Sequence, residues 1–223
     1  MVGQISTTRS ELVYEEVRKE ILRGNLPPGS RLRFVDFAER FAVSQSVVRE
    51  ALMRLAEQGL AVALPQQGFR VRSLNLADLE EITEARIEIE SMVVRRAITE
   101  GDLQWESSVI AAHHTLANTP DRTETGEINE DWVDAHEAFH HATLQGCRNA
   151  RLLSVATSLR EAASLYRWWS GSMAPDPDRD VALEHLQIRD AVVARDEMNA
   201  ACLIAQHIQR TTDALSHNAD LRS

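Results

Sequence analysis

The sequence predicts a mainly α protein. A small N-terminal module of helices and one hairpin precedes an all-helical bundle of about six helices. Three observations predict it. Apolar residues recur at helical spacing across 44–60, at Val47, Val48, Ala51, Leu52, Leu55, Ala56 and Leu60. Two short alternating runs, 60–64 and 69–72, flank Pro65-Gln66-Gln67-Gly68. Beyond Ser73-Leu74-Asn75 there is almost no strand signal, and helical periodicity takes over.

Each element follows from its residues. Residues 1–9 read as a tail. Across 11–23, Leu12, Val13, Val17, Ile21 and Leu22 form an apolar stripe, and 24–29, with Gly24, Pro27, Pro28 and Gly29, stop the helix. A shorter helix over 34–41 turns Phe37, Ala38 and Phe41 inward. Ala42-Val43 leaves only a tight turn before the next helix, which Ser44 is placed to N-cap and Gly59 to end. A short helix, a tight turn and a longer helix with a polar leading end is the helix-turn-helix plan. The following hairpin, with Gly68 supplying backbone freedom at its tip, adds a wing. The bland alternative is a small α+β packing module that meets no DNA.

Helices are expected near 76–99, 103–118, 127–146, 150–170, 181–195 and 197–216. Gly101-Asp102, Thr119-Pro120-Asp121 and Ala174-Pro175-Asp176-Pro177-Asp178 supply the breaks. The division is a winged helix-turn-helix over 1–74 and a helical bundle over 75–223, and a length of 223 residues suits two domains.

Charge agrees only when divided. The net charge is −10, yet residues 1–72 carry 11 Lys/Arg against 8 Asp/Glu while the remainder carries 13 against 26. A mildly basic head on an acidic body steers DNA to one end, although an excess of three charges decides nothing alone. Cys147 and Cys202 are the only cysteines, so no disulfide framework is implied. With no signal-peptide pattern and no apolar run that would cross a bilayer, a cytoplasmic protein without a membrane partner is expected. P-loop, dinucleotide and nucleophile-elbow patterns are missing, which disfavours the corresponding enzyme classes.

Specific motifs sharpen the reading. The runs Leu26-Pro27-Pro28-Gly29-Ser30-Arg31-Leu32, Phe37-Ala38-Glu39-Arg40-Phe41-Ala42-Val43-Ser44, Val48-Arg49-Glu50-Ala51-Leu52 and Gly59-Leu60 resemble the GntR family of bacterial transcriptional regulators, over about the first third of the chain. The resemblance implies a homodimer on a near-palindromic double-stranded operator, most simply as a repressor. DNA contacts are then expected from Arg33, Ser44, Gln45, Ser46 and Arg49, with Gln67 and Gly68 at the wing tip. GntR members commonly read S-R-x-P-V-R-E here, whereas this chain reads Ser44-Gln45-Ser46-Val47-Val48-Arg49-Glu50. Gln pairs naturally with the N6/N7 edge of adenine and Arg with guanine, so the half-site should differ under Gln45. Ala42 takes a position often held by Gly, at a cost of about 1 kcal/mol if that residue needs positive φ.

All eight histidines fall in the second domain. His136 and His140, four apart, share a helix face, and His185 and His207 lie on two later helices. Imidazoles converging from three helices can form a metal site. His113, His114, His141 and His217 are read as ordinary packed or solvated residues.

Phe139-His140, Asn149, Glu184-His185, Ala191, Arg195-Asp196, Ala200 and His207, with Arg86 and Glu90 earlier, resemble the FCD effector domain of FadR-like GntR regulators. Many FCD domains hold a divalent metal on an Asp and three His, and the metal together with an Arg receives a small carboxylate effector. Carried over, His140, His185 and His207 are the three His ligands, and Arg86 is the carboxylate clamp, for which a two-donor fork is suited. The ordinary alternative for Arg86 is a surface salt bridge to Glu90. Trp168, in an aromatic group with Tyr166 and Trp169, is a candidate effector-pocket ring. The family's Asp position is His136 here, and Asp134 lies off the face of His140. An all-imidazole set suits a divalent transition metal such as zinc or nickel and disfavours magnesium or calcium.

Two alternatives remain. One is a metal-sensing repressor without an organic effector. The other is a zinc peptidase, because His136-Glu137-Ala138-Phe139-His140 matches H-E-x-x-H with Glu as general base. No third-ligand pattern follows it at close range, and a peptidase leaves the N-terminal module unexplained.

Overall fold

The computed structural model describes residues 8–126, 128–169 and 179–218. In chain order the elements are α1 (Arg9–Leu22), β1 (Arg31–Leu32), α2 (Phe34–Arg40), α3 (Gln45–Glu57), β2 (Ala61–Leu64), β3 (Gly68–Val71), α4 (Leu76–Glu100), α5 (Leu103–Ala117), α6 (Glu130–Leu144), α7 (Ala150–Trp169), α8 (Val181–Val193) and α9 (Glu197–Asn218). The described chain forms two compact units, residues 8–79 with 161–169 and residues 80–160 with 179–218, so the divisions fall inside α4 and α7.

In the first unit, Val13, Val17 and Ile21 of α1 and Val48, Ala51, Leu52 and Leu55 of α3 are buried at helical spacing, as the apolar stripes require. The sheet order is β1-β3-β2, all antiparallel, with Ala61 opposite Val71 and Leu64 opposite Gly68. β1 is a third strand that the sequence does not announce. Its two residues pair Arg31 with Arg70 and Leu32 with Phe69, too short a run for alternation to register. Gly68 has φ +84° and Gln66 φ 60°, so the wing tip uses the left-handed conformation expected of a tight hairpin. Ala42 also has φ 51°.

Ser44 stands at the N-cap position of α3 but accepts no amide of the first turn. Its hydroxyl lies 2.7 Å from the Ser46 hydroxyl, a local partner that competes with capping. Residues 161–169 tie into this unit through polar contacts. Arg18 pairs with Glu161 at 2.5 Å, and the Tyr166 hydroxyl donates to Asp78 at 2.6 Å, whose carboxylate also accepts from Arg72 at 2.9 Å.

The second unit is a helical bundle. Its core is built from Val93, Val94 and Ala97 of α4, Val109 of α5, Phe139 of α6, Ala156 of α7, Ile188 and Val192 of α8, and Ile204 and Ile208 of α9. Caps set the helix starts. Asp102 accepts from Trp105 N–H, Asn149 from Leu152 N–H, Asp180 from Leu183 N–H and Asp196 from Asn199 N–H. Gly101 is required sterically, because a Cβ there would lie 2.3 Å from the Trp105 ring and 2.5 Å from the Ala97 carbonyl oxygen. α6 begins later than the expected 127, since Ile128 pairs with Arg122 in an isolated bridge and Asn129 caps the helix.

Candidate functional site

α6 places His136 and His140 one turn apart, α8 contributes His185 and α9 His207, all within the second unit. One ligand atom from each of the four lies within 4.8 Å of the others. His140 Nε2 and His185 Nε2 are 3.2 Å apart. A tetrahedral zinc with nitrogens at about 2.0–2.1 Å spaces those nitrogens about 3.4 Å apart, a spacing close to the His140–His185 pair and inside the 4.8 Å that bounds the set. His140, His185 and His207 are buried, and the His136 side chain is 11% exposed. Trp132 stacks on His136 at 5.0 Å, and Phe139 packs against His140 and His185.

The surroundings of His140, His185 and His207 favour the neutral imidazole, which is the ligating form. Burial pushes His140 and His185 well below the usual histidine range, and neighbouring cationic groups add to it. His207 is lowered by burial, partly offset by its hydrogen bond to Glu184, with Arg179 and Arg86 acting in the same direction as burial.

Beside the cluster lies a buried ion network. Arg86 donates to Glu90 at 2.7 Å, and Arg160 donates to Glu90 at 2.8 Å and to Glu137 at 3.0 Å. The pair expected between Arg86 and Glu90 therefore exists, but in the interior, with Arg86 and Glu90 side chains 6% and 2% exposed. Glu137, the general base of a peptidase reading, is occupied with Arg160. Asp134 is exposed and is not among the four residues of the cluster. Trp168 falls in α7, and its side chain lies outside the described residues.

In the first unit, Arg33, Ser44, Gln45, Ser46, Arg49 and Gln67 are exposed, and Gly68 is half-buried. The Arg49 guanidinium lies over the Phe34 ring at 4.9 Å, and Phe34 meets Phe69 of β3 edge-on. The residues expected at a DNA surface thus belong to the N-terminal end of α3, the residue before α2, and the wing tip.

The comparisons with known proteins assign this architecture. The family described as bacterial regulatory proteins, gntR family, matches residues 9–71, and the FCD domain matches residues 81–210. The chain belongs to the GntR family of transcriptional regulators, with a C-terminal FCD domain. Among relatives of this GntR regulator is the HTH-type transcriptional repressor GlaR of Escherichia coli, 32% identical over 87% of this chain and 90% of that protein. The uncharacterized HTH-type transcriptional regulator BphR of Paraburkholderia xenovorans is 31% identical over 98% of this chain and 90% of that protein. The solved structure of E. coli McbR/YncC shares the fold with a TM-score of 0.80 at 22% identity, covering 94% of this chain and 98% of that one. The relatives are transcriptional regulators and not enzymes, so the GntR-FCD chain is an HTH-type DNA-binding regulator. No helix among its described residues is long and apolar enough to cross a membrane.

Sequence reasoning missed several neighbours of the cluster. Trp132 was within reach, because it sits four residues before His136 on the same helix face. Arg160 and Arg179 carried no such signal, since their partners come from other helices, and Glu137 stood out only as the base of the H-E-x-x-H match. Glu184 was seen only as part of a family motif.

Proposed function

We propose that this regulator is a homodimeric, ligand-responsive repressor whose helical domain, 75–223, binds a small carboxylate at a transition-metal centre. The metal, zinc or nickel, is held by His136, His140, His185 and His207. The observation that carries this reading is the four-imidazole cluster, with one donor atom from each residue inside 4.8 Å and three of the rings buried. Four neutral nitrogens leave the full charge of a divalent ion uncompensated by its ligands, which favours an anionic effector. Arg86, buried close enough to depress His207, adds cationic character on that side.

The winged head, 1–74, reads a near-palindromic double-stranded operator in the cytoplasm. Arg33, Ser44, Gln45, Ser46 and Arg49 approach the major groove, and Gln67-Gly68 the backbone or minor groove. The printed description of GlaR as a repressor supports repression here. Effector binding shifts a pre-existing equilibrium between DNA-competent and DNA-incompetent states, so release needs no covalent chemistry.

The test is the metal content of protein purified without an affinity tag, beside His140→Ala and His185→Ala. Near-stoichiometric zinc or nickel, lost in both variants, is expected. DNA release by small carboxylates is then followed with metal-loaded protein. Failure of wild type to retain metal after incubation and desalting overturns the metal centre. DNA release by metal alone, unaffected by carboxylates, replaces the carboxylate effector with the metal itself as signal.

A further inference from the structure

Glu184, beside the ligand His185, does not point its carboxylate at the histidine cluster as a donor. It is buried and accepts four contacts: from Arg179 Nε at 2.9 Å, from a terminal Arg179 nitrogen at 2.7 Å, from Arg210 at 3.0 Å and from His207 Nδ1 at 2.7 Å. Three cationic or donor groups from two directions therefore fix one carboxylate against one edge of His207.

That edge decides which ring nitrogen can bind a metal. A neutral imidazole has one N–H and one lone pair. An ionised carboxylate only accepts, so the 2.7 Å contact requires the hydrogen on Nδ1. A terminal Arg179 nitrogen lies 3.4 Å from the same Nδ1, but it too is only a donor and already serves Glu184 Oε2 at 2.7 Å, so it leaves the assignment unchanged. Two guanidinium groups, Arg179 and Arg210, donate to the same carboxylate, the surroundings of a charged acceptor rather than of a protonated acid.

We propose that Glu184 is a positioning residue for the metal centre: it locks His207 as the Nδ1–H tautomer, so that the Nε2 lone pair is the one presented to His136, His140 and His185. In water a free imidazole prefers its hydrogen on Nε2, which would turn a hydrogen and not a lone pair toward the ion. Arg179 and Arg210 serve this arrangement by holding the carboxylate in place against the ring. Arg179 also donates to the His207 carbonyl at 3.3 Å and to Thr211 at 3.1 Å, so it braces the α9 backbone that carries the ring. Second-sphere partners of this kind typically change metal affinity by roughly 10–100-fold when removed.

The inference rests on the metal-centre reading, and its test separates the two. Full-length protein labelled with 15N-histidine is stripped of metal and its ring nitrogens read by long-range 1H–15N correlation, for wild type, Glu184→Ala and Glu184→Gln. His207 is identified by the loss of its signals in His207→Ala. Wild type is expected to show protonated Nδ1 and bare Nε2 at His207, Glu184→Ala the reverse or a mixture. Glu184→Gln keeps an acceptor of the same shape and is expected to retain the wild-type tautomer.

Zinc affinity by chelator competition should fall roughly 10–100-fold in Glu184→Ala and recover largely in Glu184→Gln. If Glu184→Ala fails to fold, the tautomer of wild type and the Gln comparison still decide. An Nε2–H tautomer in wild type overturns the inference. So does a Gln variant that keeps its fold but loses metal as fully as Ala, since that marks Glu184 as charge balance alone. Wild type that binds no zinc while showing the Nδ1–H tautomer defeats the metal centre and leaves the assigned hydrogen bond standing.

Discussion

The Arg49 guanidinium of α3 lies 4.9 Å from the centroid of the Phe34 ring, and that ring meets Phe69 of the wing edge-on at 5.8 Å. One side chain at the start of α2 thus props a cation of α3 and braces the strand that carries the wing tip. An exposed cation over a half-buried ring contributes about 0.5–1 kcal/mol, and an aromatic edge pair about as much again.

Phe34→Ala should therefore weaken operator binding by roughly 3–10-fold, while far-UV circular dichroism reports an unchanged helix content. Fluorescence anisotropy across a salt series separates this from direct contact. Arg49→Ala should reduce the slope of log affinity against log salt by about one if Arg49 meets a phosphate, whereas Phe34→Ala should leave the slope intact. Unaltered affinity in Phe34→Ala would refute the brace.

Ala42 occupies the helix-turn-helix turn with φ 51°, a region where its Cβ is strained. Ala42→Gly should stabilise the head by about 0.5–1 kcal/mol, the relief of strain exceeding the extra chain entropy of Gly. Thermal melting should show a higher midpoint with the operator sequence unchanged. A lower midpoint would mean that this turn relaxes in solution.

Gln45 is the first residue of α3 and exposed. Operator selection with wild type and Gln45→Arg should give half-sites that differ at one base, adenine under Gln and guanine under Arg, with discrimination of about 1–3 kcal/mol. Identical preferred sites from the two proteins would remove Gln45 from the reading of bases.

Glu90 is a buried carboxylate gripped by Arg86 and Arg160. Burial would raise it, but the two guanidinium charges prevail and hold it below the ordinary 4.5. A carboxyl lowered in the folded state contributes stability above its unfolded value, and that contribution is lost as pH falls through the folded value. Glu90→Gln should cost roughly 3–5 kcal/mol near neutrality by stranding two buried cations. The gap between wild type and variant should close as pH is lowered below about 4.5, seen in thermal unfolding from pH 7 to 3. A gap that stays constant with pH would show that Glu90 acts by packing.

Much of this was legible in the sequence because the signals were local. Helical periodicity placed α1, α3 and the bundle helices, and the spacing of His136 and His140 put both rings on one face. His185 and His207 could be joined to them only through the family motif, since no spacing rule links three helices. What escaped was non-local. β1 is two residues long and exists only through its pairing with β3. Arg160 reads as an ordinary surface residue of α7 until α4 and α6 supply Glu90 and Glu137. The hydroxyl of Ser44 obeyed the capping pattern in position but preferred Ser46, a choice between near-equal partners that the sequence does not rank.

The interior of the bundle holds two guanidinium groups and a carboxylate, Arg86, Arg160 and Glu90, where aliphatic residues of similar bulk would also fit the helical pattern. Such buried ion groups can commonly be exchanged for apolar ones at no loss, or with a gain of about 1–4 kcal/mol. A search for sturdier variants would accordingly erase these three residues first, and with them the cationic side of the histidine cluster. Under the proposed function, thermostability and responsiveness compete for the same few positions in this domain, and a variant hardened there should hold its operator and ignore its signal.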